Sequence, residues 1–324
     1  MAALLVDLPD APPELILGPA IGEDACVIEV PKGVLVAAAD PITLTTHDIG
    51  RFGVIINAND VAVMGVRPRW FLAVILLPSG TGREDVQDIF TTIGKGLEDV
   101  GAVLVGGHTE ITEAVRQPVL VGQMMGISER GYFVSTGGAG PGDALVQVGL
   151  VPVEGAAVLA VEAEADLGDL PAGLLEAAVN AVDDPGLSVV EPALLAAELG
   201  ATAMHDPTEG GISAGLHEMS VAADVSLSVD TGSVLWFEPG LAVCDAVGAD
   251  PWATLASGAL LATFPPDLVD HAVDELAKRG LEVAVIGSVG EGAGVYDQAG
   301  EAIPWPERDE AARTLQSQDT TAAS

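Results

Sequence analysis

Positive charge is what this sequence has least of. It carries 12 Lys and Arg against 48 Asp and Glu, a formal net charge of −36, and its only lysines are Lys32, Lys95 and Lys278. A surface that negative repels phosphodiester backbones and anionic lipid, which excludes nucleic acid and membrane surfaces as partners. Cysteine is nearly absent as well. Cys26 and Cys244 stand far apart in apolar surroundings and in no CxxC or Cys/His grouping. That gives no support to a zinc site or a disulfide framework and reads both as buried, inert thiols. Long hydrophobic runs are also missing: the longest uncharged stretch near the C-terminus, Pro251 to Pro266, has sixteen residues, short of the roughly 20 a spanning helix needs. The opening MAALLVDLPDAPP has no basic n-region, so it does not read as a signal peptide. A soluble, cytoplasmic protein is expected. Finally, no GxxxxGK[ST] occurs; Lys95 in Ile93-Gly94-Lys95-Gly96 lacks both the spacing and the following Ser or Thr.

Aromatic residues make up 4% of a chain that is 49% hydrophobic. The core must then be built from Val, Leu, Ile and Ala, as where helices cover sheets. At about 150 residues per domain the length suggests two domains. Strand-length apolar runs (25–30, 34–39, 71–77, 102–106, 118–127) alternate with helical segments over 47–65 and 84–100. The Gly/Pro-rich stretch 135–142 reads as a boundary. A second half follows, with strands at 144–149, 201–205, 226–230, 259–264 and 282–289. Its helices fall near 153–164, 172–182, 189–199, 209–223, 234–247 and 266–279. The fold class is α/β (α+β), with domains at 1–139 and 140–306 and a frayed polar tail over 307–324.

Acidic residues recur at strand ends. Residues 57 to 70, NANDVAVMGVRPRW, place Asn57, Asn59 and Asp60 inside an apolar helix. An ionised carboxylate moved to a dry interior costs on the order of 20 kcal/mol in the idealised limit. Either that face is wet or a cation is bound there. Asp24 precedes the strand starting at Ala25, Asp40 ends the strand 34–39, and Asp206 opens Asp206-Pro207-Thr208-Glu209-Gly210-Gly211 between a strand and a helix. Each alone also reads as an ordinary turn or N-cap residue. Together they suit Mg²⁺, which takes one or two carboxylates with water and substrate phosphates, and so suit ATP. With no P-loop, backbone N–H groups at helix starts would hold the phosphates, from Gly106-Gly107-His108-Thr109 and from Thr208-Glu209-Gly210-Gly211; either could equally be a plain strand-to-helix connection. His108 reads as a metal ligand, as a proton donor, or as a polar neighbour of a glycine turn.

In order, GEDA at 22–25, Asp40, NDVAVMG at 59–65, GGHT at 106–109 and DPTEGG at 206–211 resemble the aminoimidazole ribonucleotide synthetase (PurM-like) superfamily, over about residues 14–300. That family includes selenophosphate synthetase, thiamine-monophosphate kinase and the hydrogenase maturation protein HypE, and the order of motifs is most similar to the HypE branch. The resemblance implies a two-domain fold whose N-terminal domain (1–139) binds ATP and pairs in a homodimer through a β-barrel-like sheet. ATP and Mg²⁺ would lie between the domains and the dimer partner. It further implies Asp24, Asp40, Asp60 and Asp206 at the metal, with Asp60 catalytic; His108, read from the residue itself, is the other catalytic candidate. Asn57, Asn59, Gly106, Gly107, Thr109, Thr208, Gly210 and Gly211 would contact the nucleotide. A carbonyl, amide or thioamide oxygen, small-molecule or protein-borne, would be phosphorylated. A maturation partner protein is implied as well.

The sequence departs from that pattern in three places. No cysteine follows Cys244, so the terminal thiol of the HypE branch is not there; Gly107-His108-Thr109 stands where Gly-Asp-Thr is expected; and Ser257-Gly258 stands where Glu-Gly is expected. Selenophosphate synthetase is further disfavoured by the missing N-terminal Cys/Sec loop. A small-molecule kinase similar to thiamine-monophosphate kinase and a non-catalytic nucleotide-binding dimeric scaffold remain the alternatives.

Overall fold

The computed structural model describes residues 12–164 and 167–322. They form two compact units. The first comprises residues up to Pro19 and Asp24–Phe133; the second comprises Ala20–Glu23 and everything from Val134 onward. The division thus falls six residues before the expected 139/140. Residues 134–139 belong to the second unit because the buried Thr136 hydroxyl donates to the Met204 carbonyl at 3.1 Å and Gly137 N–H donates to Glu23 Oε1 at 3.2 Å.

The first unit contains β1 (Leu15–Leu17), β2 (Cys26–Glu29), β3 (Val34–Ala38), β4 (Pro41–Ile42), α1 (Ile49–Val63), β5 (Trp70–Leu77), α2 (Arg83–Val100), β6 (Val103–Ile111) and β7 (Val119–Ser128). Its sheet runs β1-β2-β3-β7-β5-β6, with β4 also on β7; β5 and β6 are parallel and the other pairs antiparallel. Period-2 burial along β5 sends Phe71, Ala73, Ile75 and Leu77 inward. α1 is buried on every face, with all but Arg51 of its fifteen residues buried, as expected for a helix inside the core rather than on it. α2, with a one-sided apolar stripe, buries Ile89, Ile93, Gly96 and Val100.

The second unit contains β8 (Ala144–Val148), α3 (Val153–Glu162), α4 (Ala172–Val179), α5 (Val190–Glu198), β9 (Ala203–His205), α6 (Gly211–Ala223), β10 (Ser226–Val229), α7 (Glu238–Val247), β11 (Leu260–Phe264), α8 (Val269–Lys278), β12 (Val283–Gly290), β13 (Gly294–Asp297) and α9 (Glu310–Ala322). The sheet order is β13-β10-β12-β8-β11-β9, antiparallel except for β10 with β13. Leu145, Ile212, Leu216, Leu227, Leu261, Ile286 and Val295 join strands and α6 in one apolar cluster.

The frayed tail is corrected by α9. Its first turn is capped by Asp309, whose Oδ1 accepts from Ala311 N–H at 2.8 Å and Ala312 N–H at 3.3 Å, and Ala311 and Thr314 are buried. Few apolar residues mark this helix, so hydrophobic period gave no warning of it.

Candidate functional site

In the first unit β3 ends at Ala38 and Asp40 follows it, where Asn57 on α1 holds its backbone in place. Asp40 N–H donates to Asn57 Oδ1 at 2.9 Å, and Asn57 Nδ2 donates to Asp40 O at 3.2 Å and Gly53 O at 2.8 Å. Asn57 is fully buried with both N–H donors spent inside the protein. It positions Asp40 rather than reaching a nucleotide, which corrects its expected contact role. Asp60 lies one turn further along α1, on the same face, and is 6% exposed. Asn59 is fully buried within the same helix. Asp24 and Asp40 are half-buried.

The helix start expected at Gly106, Gly107 and Thr109 is corrected. These residues and His108 lie in mid-strand in β6, paired with Leu72, Ala73, Ile75 and Val74 of β5, and no helix begins there. Gly107 answers a packing demand instead. The register shifts after Leu104 as Val105 bulges, and a Cβ on Gly107 would fall 2.0 Å from the Ala73 carbonyl oxygen. His108 Nε2 stands 3.2 Å from Glu110 Oε2, both largely exposed. All nine residues of β6 are exposed, among them Val103, Leu104, Val105 and Ile111.

In the second unit the loop from Asp206 to Gly210 leads from β9 into α6. Gly210 N–H points at a carboxylate of the chain itself, donating to Asp309 Oδ2 at 2.8 Å. Gly211 N–H is turned back to Thr208 O at 3.0 Å, and Thr208 O also accepts from Ala256 N–H. Gly211, at φ 64°, has no room for a side chain: a Cβ would meet the Trp252 oxygen at 2.6 Å. The N–H groups of Gly210 and Gly211 are thereby engaged within the chain, so these two do not form an open phosphate cradle as expected; the anion at Gly210 is Asp309. Asp206 is 2% exposed, and its neighbour His205 meets Glu218 Oε2 at 3.0 Å.

Two acids the sequence reading passed over are buried beside this loop. Glu154, in the first turn of α3, is 7% exposed, and burial pushes its carboxyl up to about 8 despite the Ser257 hydroxyl and amide beside it; the carboxyls of Glu209 and Asp309 add to the rise. Asp309 is pushed up to about 6, mainly by burial, with Glu209 adding a smaller push against three backbone N–H bonds. The signal for Glu154 was present in VPVEGAAVLA, an acid alone in an apolar helix, the same anomaly that singles out Asp60. Nothing comparable marks Asp309. Cys244 is buried, with its thiol pushed up to about 11 by desolvation, an unreactive state.

Three of the four aspartates expected at a metal belong to the first unit and Asp206 to the second. Among the described residues no three His, Cys, Asp or Glu side chains gather closely enough to hold a metal ion, so they do not form a metal cage by themselves. Asp24, Asp40 and Asp60 offer carboxylate oxygens, the donor type that a hard cation takes beside phosphate oxygens and water. Among the described residues no helix is long and apolar enough to cross a membrane.

Comparison with known proteins places this geometry in a family. Residues 22–128 match the N-terminal domain of AIR synthase related proteins and residues 140–299 the C-terminal domain. The hydrogenase expression/formation protein HupE of Azotobacter chroococcum mcd 1 is 27% identical over 83% of this chain and 79% of its own. Selenide, water dikinase of Nitratidesulfovibrio vulgaris (strain Hildenborough) is 30% identical over 93% of this chain and 91% of its own. The crystal structure of the hydrogenase maturation protein HypE in complex with ATP superposes with a TM-score of 0.73 at 22% identity, covering 91% of this chain and 92% of that one. With both halves matched in order, the chain belongs to the AIR synthase related family.

Proposed function

We propose that the chain is an ATP-dependent enzyme that phosphorylates a carbonyl, amide or thioamide oxygen of a small molecule or protein-borne group. The observation that supports this most is the Asn57–Asp40 tether, which fixes one carboxylate-bearing backbone against α1 a single turn from the buried Asp60. Asp24, Asp40 and Asp60 would hold Mg²⁺, which when bound neutralises charge on the transferring phosphoryl group. The protein's own part is orientation: a buried amide holds Asp40, and the rigid α1 holds Asp60, so little reorganisation is needed when the nucleotide arrives. The HypE structure carrying ATP supports the choice of nucleotide.

The match to selenide, water dikinase favours a second reading, a small-molecule kinase using the same carboxylates. Under either reading the exposed edge strand β6, with Val103, Leu104, Val105 and Ile111 in water, is the surface through which two copies pair, since an unpaired apolar edge invites another strand. His108 and Glu110 then belong to that interface. The HypE-HypF complex, whose HypE-type fold this chain shares, supports a maturation partner protein as part of this reading.

Calorimetric titration with MgATP, followed by an ADP-release assay, tests the reading. Binding with ADP release that rises on adding a carbonyl or amide substrate supports it. Binding without turnover leaves a scaffold, and no binding ends the proposal.

A further inference from the structure

The second unit holds a cavity of about 800 Å³ that contains none of the residues assigned to metal or nucleotide. It lies between the loop after α7, the turn that follows β13 and the segment leading into α9. These walls are tied in place by the chain itself. Asp250 N–H donates to Glu310 Oε2 at 3.1 Å, Arg313 Nη2 donates to Gly248 O at 2.8 Å, and His217 Nε2 donates to Ile303 O at 2.9 Å. A preformed cavity of this size fits a small-molecule site.

The lining combines two kinds of surface. Trp252, Ile303, Pro304 and Pro306 give an apolar wall. Beside it stand five carboxylates, Asp250, Asp297, Glu301, Glu307 and Glu310, with the guanidinium groups of Arg308 and Arg313. Arg313 is neutralised by both Glu310 oxygens at 2.7 Å, and Arg308 turns Nη2 to Ala312 O at 2.8 Å. Four carboxylates then remain against the single charge of Arg308, so an anionic ligand is repelled and a cationic one is drawn in.

The spacing of the acids says which kind of cation. Among the described residues no three His, Cys, Asp or Glu side chains gather closely enough to hold a metal ion. The carboxylates come from separate segments of the chain and are met one at a time, which suits positive charges spaced along an apolar chain. Methylene groups gain by leaving water for the apolar wall, and an ammonium beside the Trp252 indole gains further from its ring. We propose that this cavity binds a linear aliphatic di- or polyamine, its methylene stretches along Trp252 and the two prolines and its ammonium groups at Glu301, Glu307 and the carboxylates beside them. The site is independent of the phosphoryl transfer proposed above.

Calorimetric titration of spermidine into the full chain tests it, at about 0.1 M salt, where charges are screened beyond about 10 Å. Spermidine binds the wild type at a single site, and n-butylamine, with one charge, binds at least about fivefold more weakly. Glu301→Gln with Glu307→Gln, at two exposed positions, loses about fivefold or more in spermidine affinity. Asp270→Asn with Asp274→Asn removes equal charge from exposed positions of α8 and stays within about twofold of the wild type. Equal losses in the two double variants, several spermidine sites per chain, or displacement by an equal concentration of magnesium chloride overturns the site and leaves only diffuse attraction to an acidic surface. Failure of the wild type to bind spermidine overturns it as well.

Discussion

Asp309 Oδ2 accepts the Gly210 N–H at 2.8 Å, joining the start of the last helix to the start of α6 ninety-nine residues earlier. One carboxylate caps two helices, α6 through Oδ2 and its own α9 through Oδ1. Asp309→Ala should therefore cost about 1–3 kcal/mol, the range of a lost cap plus an unsatisfied buried N–H, measured by denaturant unfolding. Asp309→Asn keeps one accepting oxygen but sets an amide NH2 against the N–H groups of the other helix, so it should recover only part of that loss. Equal stability of the alanine variant would show that the cap carries no weight.

Glu154 makes the larger contribution to the pH dependence of stability, and Asp309, raised to about 6, adds to it below that pH. The Glu154 value is about 8 in the folded protein against 4.5 for the free group, so between those limits the native state binds a proton that the unfolded state does not. Stability then falls as pH rises from about 4.5 to 8 and levels off above, by at most about 5 kcal/mol. Glu154→Gln removes this slope and should be the more stable protein at pH 8, the gap closing toward pH 5. Urea midpoints at pH 5, 6.5 and 8 measure it; parallel curves for the two proteins would contradict it.

Asn57→Ala removes three hydrogen bonds at once from a fully buried position. We expect a loss of about 2–4 kcal/mol in unfolding free energy and weaker nucleotide binding, because Asp40 is no longer held. Asn57→Asp restores the acceptor for Asp40 N–H but not the two donors, and should recover little of either.

Edge strand β6 makes the dimer prediction. Leu104→Lys with Ile111→Lys, at two exposed apolar positions, should turn a dimer into a monomer in sedimentation velocity with little change in the thermal midpoint of the monomer. A wild type that sediments as a monomer at micromolar concentration contradicts the pairing.

Much of this molecule was legible in its sequence because apolar periodicity is strong. The helix expected over 47–65 spans Ile49–Val63, and the strand expected over 71–77 spans Trp70–Leu77. Asp60 stood out by being acidic where everything around it is apolar. What failed was glycine. Gly106 and Gly107 read as a phosphate turn, whereas both lie in mid-strand and the close approach of the neighbouring strand's backbone requires glycine at Gly107; a sequence does not distinguish a glycine that lets a ligand near from one that lets backbone near. Gly210 and Gly211 do start a helix, yet the anion at its end comes from a position ninety-nine residues away, a pairing that no local pattern encodes. Asn57 illustrates the same limit: its place on the helix face was readable, its commitment to Asp40 was not.

The most direct test is a calorimetric titration of ATP into wild type and Asp60→Asn, each with and without Mg²⁺. The account predicts magnesium-dependent binding in the wild type and a loss of about tenfold or more in the variant, with the fold intact by circular dichroism. Equal affinity in the two proteins, or wild-type binding indifferent to magnesium, would contradict it.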